Sequence, residues 1–145
     1  MQLKDIGREL EAVSKTVLRP LGVAITQELA VGVFNRAVRT SPVGTPATSE
    51  HPGKYRASHT LSRGPRSIAK KLPDAPTYAI PGENEARAAV KGLQPGERVH
   101  LVNRAKSDGA RKSYAKYLEP PYTKSPQAPQ GVYAPMRAWL QVNAG

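Results

Sequence analysis

The sequence predicts an α+β protein: an N-terminal helical arm, a small antiparallel sheet with long Pro-rich loops, and a C-terminal helix. Three observations carry this. Apolar residues recur at helical spacing over the first forty residues and again over the last dozen. Short runs in between alternate as strands do. Twelve of the fourteen prolines and eight of the twelve glycines fall between residues 41 and 131 and break up the middle of the chain.

The arm covers residues 1–40, and the sheet, loops and C-terminal helix cover 41–145, within one expected domain, 1–145. Leu3, Ile6, Leu10, Val13 and Val17 are spaced 3, 4, 3 and 4 residues apart, which is one face of an amphipathic helix. Pro20 interrupts that pattern. Proline suits the first turn of a helix, so Pro20 is expected to open a second one. Its buried stripe should run through Leu21, Ile25, Leu29 and then Val33 or Phe34, and Pro42 should end it. Arg36 and Arg39 near its C-terminus suit the negative end of the helix dipole. The arm packs on the chain's own core or, alternatively, on a neighbouring subunit.

Residues 41–54 read as loop. Residues 55–63 are expected to form a strand with Tyr55, Ala57, His59 and Leu61 on one face. Four prolines make 64–82 irregular. Glu83–Lys91 is Ala-rich with leading acids and a trailing lysine, which predicts a short helix ended by Gly92. Gln94-Pro95-Gly96-Glu97 is a turn, because proline favours its second position and glycine its third. Residues 98–103 alternate like a strand. Residues 104–112 look like a hairpin tip around Asp108-Gly109. Residues 114–119 are a strand or short helix, and 132–142 carry Tyr133, Met136, Trp139 and Leu140 at helical spacing.

Composition narrows the chemistry. The chain has no cysteine, so disulfides and thiolate metal sites are excluded. No run approaches eighteen consecutive apolar residues, so no membrane span and no membrane partner are expected. Asp5, Glu9 and Glu11 interrupt the N-terminal apolar residues, which argues against a signal peptide. The histidines His51, His59 and His100 have no carboxylate at a metal-ligand spacing, so no metal is expected, and each is given a surface or lining role. Gly53-Lys54 invites a phosphate-loop reading, but Thr48 and Tyr55 stand where that motif needs Gly and Ser/Thr. No catalytic residues, no cofactor and no enzymatic activity are expected.

Net charge is +11, with 22 Lys/Arg against 11 Asp/Glu. The excess is uneven: residues 51–73 hold six basic residues and no acid. Such a field attracts polyanions or acidic protein faces. Arg56, Arg63, Arg66, Lys70 and Lys71 are candidates to face DNA, and Arg104, Lys106, Arg111 and Lys112 to meet a protein neighbour. Tyrosines interleaved with lysines can stack bases, but they also enrich protein interfaces.

Residues 114–131 bear most directly on function. Pro120, Pro121, Pro126 and Pro129 make a stiff, extended loop with few backbone bonds of its own. That loop follows Tyr114-Ala115-x-x-Leu118-Glu119 and closes through Gln127-Ala128-Pro129-x-Gly131. Upstream, Ser41-Pro42-Val43 leads to Tyr55-Arg56-Ala57-Ser58, and Gln94-Pro95-Gly96-Glu97 precedes Val99-His100-Leu101-Val102-Asn103. This ordered set, over roughly residues 25–142, resembles the minor tail or tail-completion proteins of tailed bacteriophages, which sit where tail tube meets head. The sequence departs from that pattern at Gly44, where the family has Asp, and at Pro120, where it has an aromatic residue.

The resemblance implies a structural virion protein, assembled in the host bacterial cytoplasm. It also implies a homo-oligomeric ring, expected to be six-fold, with neck and tail-tube proteins as partners and packaged DNA in the lumen. Glu119, Pro120, Pro121, Tyr122, Pro126, Gln127, Ala128 and Pro129 are then the candidate subunit-interface residues, with Glu119 either paired to a nearby Lys or Arg or forming an intersubunit ion pair. The rival reading is a sequence-independent nucleic-acid-binding protein, whose phosphate contacts salt would abolish.

Overall fold

The computed structural model describes residues 3–45, 49, 51–106 and 125–144. One long helical rod opens the chain. It comprises α1 (Leu3–Val13), a π-turn (Ser14–Leu18) and α2 (Arg19–Thr40). Pro20 stands in the first turn of α2, as the sequence suggested, but the rod does not stop before it. In a regular α-helix its ring would press on the Thr16 carbonyl and its missing N–H would break a bond. The π-turn just before it loosens that turn: the Arg19 N–H reaches back five residues to the Ser14 carbonyl. The rod thus passes the proline without a break. It ends at Thr40 because Pro42 requires an extended residue before it, and Ser41 lies at φ −70°, ψ 131°.

The remaining elements among the described residues are α3 (Lys54–Ala57), β1 (Thr60–Arg63), α4 (Glu83–Val90), β2 (Val99–Val102) and α5 (Tyr133–Ala144). Strands β1 and β2 pair antiparallel, with Thr60 opposite Val102 and Arg63 opposite Val99. The α+β architecture expected from the sequence is the one observed, with two strands in the sheet among the described residues. The turn at 94–97 is closed by Glu97 N–H to the Gln94 carbonyl at 3.0 Å, with Gly96 at φ 78°. That backbone angle is why glycine stands there.

The expected strand over 55–63 is only half right. Gly53, at φ 84°, turns the chain into a single helical turn, and extension begins at Thr60. Tyr55, Ala57, His59 and Leu61 are nevertheless all buried. A one-turn helix joined to a short strand satisfies the same apolar positions as one longer strand.

Two cores share α2. On one side Val31, Phe34 and Val38 pack with Leu61 of β1 and with Ala86 and Val90 of α4. On the other, Val33 and Ala37 pack with Tyr55, Ala105, Ala128, Val132 and Met136, with Trp139 and Leu140 of α5 alongside. Gly32 lets the Trp139 ring lie directly on the helix: a Cβ there would come within 3.1 Å of the indole. Tyr133 joins His59 near the C-terminal end of α2 while Trp139 covers Gly32, so α5 runs antiparallel to α2.

The buried stripe expected along Leu21 and Ile25 is not buried. Both are about half exposed, and burial begins near Val31. The body of the protein is too small to cover more than the last third of the rod. The irregular 64–82 stretch folds back on β1 through side-chain anchors: Ile68 N–H to Ser62 Oγ at 3.2 Å and Lys70 N–H to Thr60 Oγ1 at 2.8 Å. Asp74 in the same stretch pairs with the nearly buried Lys54.

Candidate functional site

Three places hold the chemistry-bearing residues: a buried histidine hub, a basic turn and the bare helical arm.

His59 was expected to line a surface, but it is fully buried, at 0% exposure. It sits just before β1, where the chain passes beneath the end of α2. Ser41 Oγ donates to the Ala37 carbonyl at 2.7 Å, leaving a lone pair for His59 Nε2–H at 2.6 Å. Tyr133 OH then donates to Nδ1 at 3.2 Å. This assigns the neutral, Nε2-protonated tautomer and satisfies both ring nitrogens. Tyr55 and Tyr133 each meet the imidazole edge to face. Burial among hydroxyls and rings pulls the His59 pKa down to about 4.

A serine beside a histidine resembles a nucleophile and its base. Here Ser41 is 1% exposed and its proton is committed to a helix carbonyl, so no substrate reaches it. The hub fastens α2, β1 and α5 together. Among the described residues no group of three or more His, Asp or Glu could hold a metal ion.

Arg56, expected to face DNA, is a structural residue. Its Nε and Nη2 donate to the Ser41 carbonyl at 3.0 and 2.6 Å, closing the end of α2. Arg63 pairs with Glu97 at 3.0 Å and also donates to the Gly92 carbonyl. Glu97 in turn accepts the Gln94 N–H, and this bond, helped by Arg63, holds its pKa below the usual carboxylate value. Lys70 pairs with Glu85 at 2.6 Å. Arg66 and Lys71 are exposed. Arg66 stands in the turn that follows β1, where Gly64 N–H donates to the Arg98 carbonyl and His100 Nε2 meets the Gly64 carbonyl. Arg104 reaches Ser67 Oγ from the far end of β2. Arg66, Arg98 and Arg104 therefore gather about one turn, with exposed Lys106 just beyond. Arg111 and Lys112 lie outside the described residues.

Of the candidate interface loop, Glu119, Pro120, Pro121 and Tyr122 lie outside the described residues. Pro126, Gln127 and Pro129 are exposed, and Gln127 Oε1 accepts the Val43 N–H at 3.1 Å. Ala128 is buried in the α2–α5 core.

Among the described residues, seven of the eleven exposed large apolar side chains lie on the arm. Ile6, Leu10, Val13, Val17, Leu18, Leu21 and Ile25 are 40–66% exposed. Helical phase, carried through the π-turn, places all seven on one face roughly 110° wide. Sequence periodicity identified the stripe, but it could not say that the body stops short of it. By length and composition alone, the helix Lys4–Thr40 could also cross a membrane. Its lower part is tied to the body instead: Gln27 Nε2 donates to the Val90 carbonyl at 2.8 Å, and Glu28 pairs with Arg87 at 2.7 Å. That pairing lowers the Glu28 pKa and raises that of Arg87. An open groove of about 530 Å³ lies beside the arm's root, between Arg19, Pro20 and Val23 and the Leu93–Pro95 turn. Comparison of the chain with family models, curated proteins and solved structures finds no match in any of the three.

Proposed function

We propose that this chain is a structural assembly protein of a tailed-bacteriophage virion, acting at the neck where the tail is completed and joined to the head. The observation that carries the reading is the bare apolar face of the arm. A folded chain rarely leaves so large a contiguous patch uncovered unless another surface meets it. The resemblance described above supplies the setting. An arm that projects from a small body can reach another subunit.

A second reading has its own support. Arg66, Arg98 and Arg104 around one turn, with Lys106 nearby, offer phosphates an exposed basic face. Within the neck this face is assigned to lumen DNA. By itself it would suit a nucleic-acid-binding protein.

The test is genetic and structural. Deleting the chain from a phage that encodes it should leave filled heads and unjoined or incomplete tails, and a virion reconstruction should place several copies at the neck. Normal virions without the chain, or virions that lack it, would overturn the assignment.

A further inference from the structure

We infer that the occupant of the arm's bare face is the arm of a second copy, paired antiparallel about a two-fold axis. This rests on the reading of the arm as an assembly element and specifies its partner.

The first argument is continuity with a packed interface. Leu18, Leu21, Ile25, Leu29 and Gly32 follow one another at three- and four-residue steps, so they lie on one face of the rod. At Gly32 that face is already covered, by Trp139 of α5. Above it Leu29 is half-buried, and from Ile25 upward the face is bare. Helix α5 runs antiparallel to α2. A further antiparallel helix on the bare stretch continues the same packing, end to end with α5.

The second argument is self-complementarity. In an antiparallel pairing Ile6 falls opposite Ile25, Leu10 opposite Leu21, and Val13 opposite Leu18 of the second copy. The three pairs share one register, so six of the seven stripe residues match their own reverse, which is what an isologous contact requires, and Val17 falls opposite Ser14. Each copy presents a patch on the order of 600 Å². Two such patches reach the roughly 1,200 Å² at which specific interfaces begin.

The third argument is charge, which argues against a lipid surface. Residues 3–25 carry Lys4, Arg8, Lys15 and Arg19 against Asp5, Glu9 and Glu11. Helices that lie on membranes carry a basic excess on the polar face.

The experiment uses the purified full chain. Sedimentation equilibrium from micromolar to about 100 µM should give a dimer mass that persists at high salt. Leu10→Glu with Val17→Glu should weaken association at least a hundredfold. Both positions touch no core, so near-ultraviolet dichroism from Trp139 should be unchanged. The chain has no native cysteine, so single cysteines report geometry directly. A short bis-thiol crosslinker should join Ser14→Cys chains. It should not join Ile6→Cys chains, whose thiols lie roughly 28 Å apart along an antiparallel pair.

Three outcomes would overturn the inference. These are a monomer throughout the range, crosslinking at Ile6→Cys, and an arm that associates only with phosphatidylglycerol vesicles. None of them touches the virion test above. A chain present at the neck but monomeric in solution refutes the arm pairing alone.

Discussion

Acid should unfold this protein through His59 before its carboxylates titrate. The buried imidazole is neutral, with its pKa at about 4, because burial penalises the cation and its neighbours Ser41, Tyr55 and Tyr133 carry no carboxylate to offset that. In the unfolded chain the same group titrates near its ordinary 6.5. The folded state therefore binds protons less readily, and stability falls as pH drops from about 6.5 toward about 4. Between pH 7.5 and 5.0 the expected loss is about 2 kcal/mol. In urea that is a midpoint shift of about 1 M, for a slope of roughly 2 kcal/mol per molar.

The assay is urea unfolding followed by Trp139 fluorescence at fixed protein concentration, at pH 7.5, 6.5, 5.5 and 5.0. The control is His59→Gln, which keeps a donor and an acceptor near Ser41 and Tyr133 but cannot titrate. It should be less stable at pH 7.5 and lose much less between pH 7.5 and 5.0. Equal losses in the two proteins would refute the reasoning and put the acid sensitivity elsewhere.

Phe34→Ala should cost about 3–5 kcal/mol, since the ring is fully buried between α2 and α4 and little around it can collapse; the urea midpoint reads this. Gly32→Leu should push Trp139 off α2, shifting its emission to the red and lowering stability by about 1–3 kcal/mol. Arg56→Ala should destabilise the isolated chain by about 1.5–3 kcal/mol, because the Ser41 carbonyl loses two charged donors. By contrast, Arg66→Glu with Lys71→Glu should leave the urea midpoint unchanged and lower the salt needed for elution from heparin. If Arg56→Ala affected heparin retention and left the midpoint alone, the division of the basic residues would be wrong.

Local signals in the sequence determined the class of fold and most of the element boundaries. The 3.6-residue periodicity of the arm and of 132–142, the acid-led helix after Gly82, the Pro-Gly turn at 94–97 and the alternation of 98–103 act within a few residues, so each is legible without a partner. Tertiary structure decided everything that depends on what lies opposite. The apolar positions of α1 and α2 read alike, yet Val31, Phe34 and Val38 are covered and Leu10, Val17 and Leu21 are bare, because the body reaches only the end of the rod. Pro20 reads as a break, and the π-turn before it removes the steric reason for one. His59 reads as one more histidine in a strand. Its tautomer comes from Ser41 and Tyr133, eighteen residues before it and seventy-four after, and its low pKa from burial. Arg56 and Arg66 are equal charges in sequence; a carbonyl at the end of a helix takes one into the fold and leaves the other facing solvent. Periodicity records which residues are apolar or charged, but burial depends on distances that only the packed chain defines.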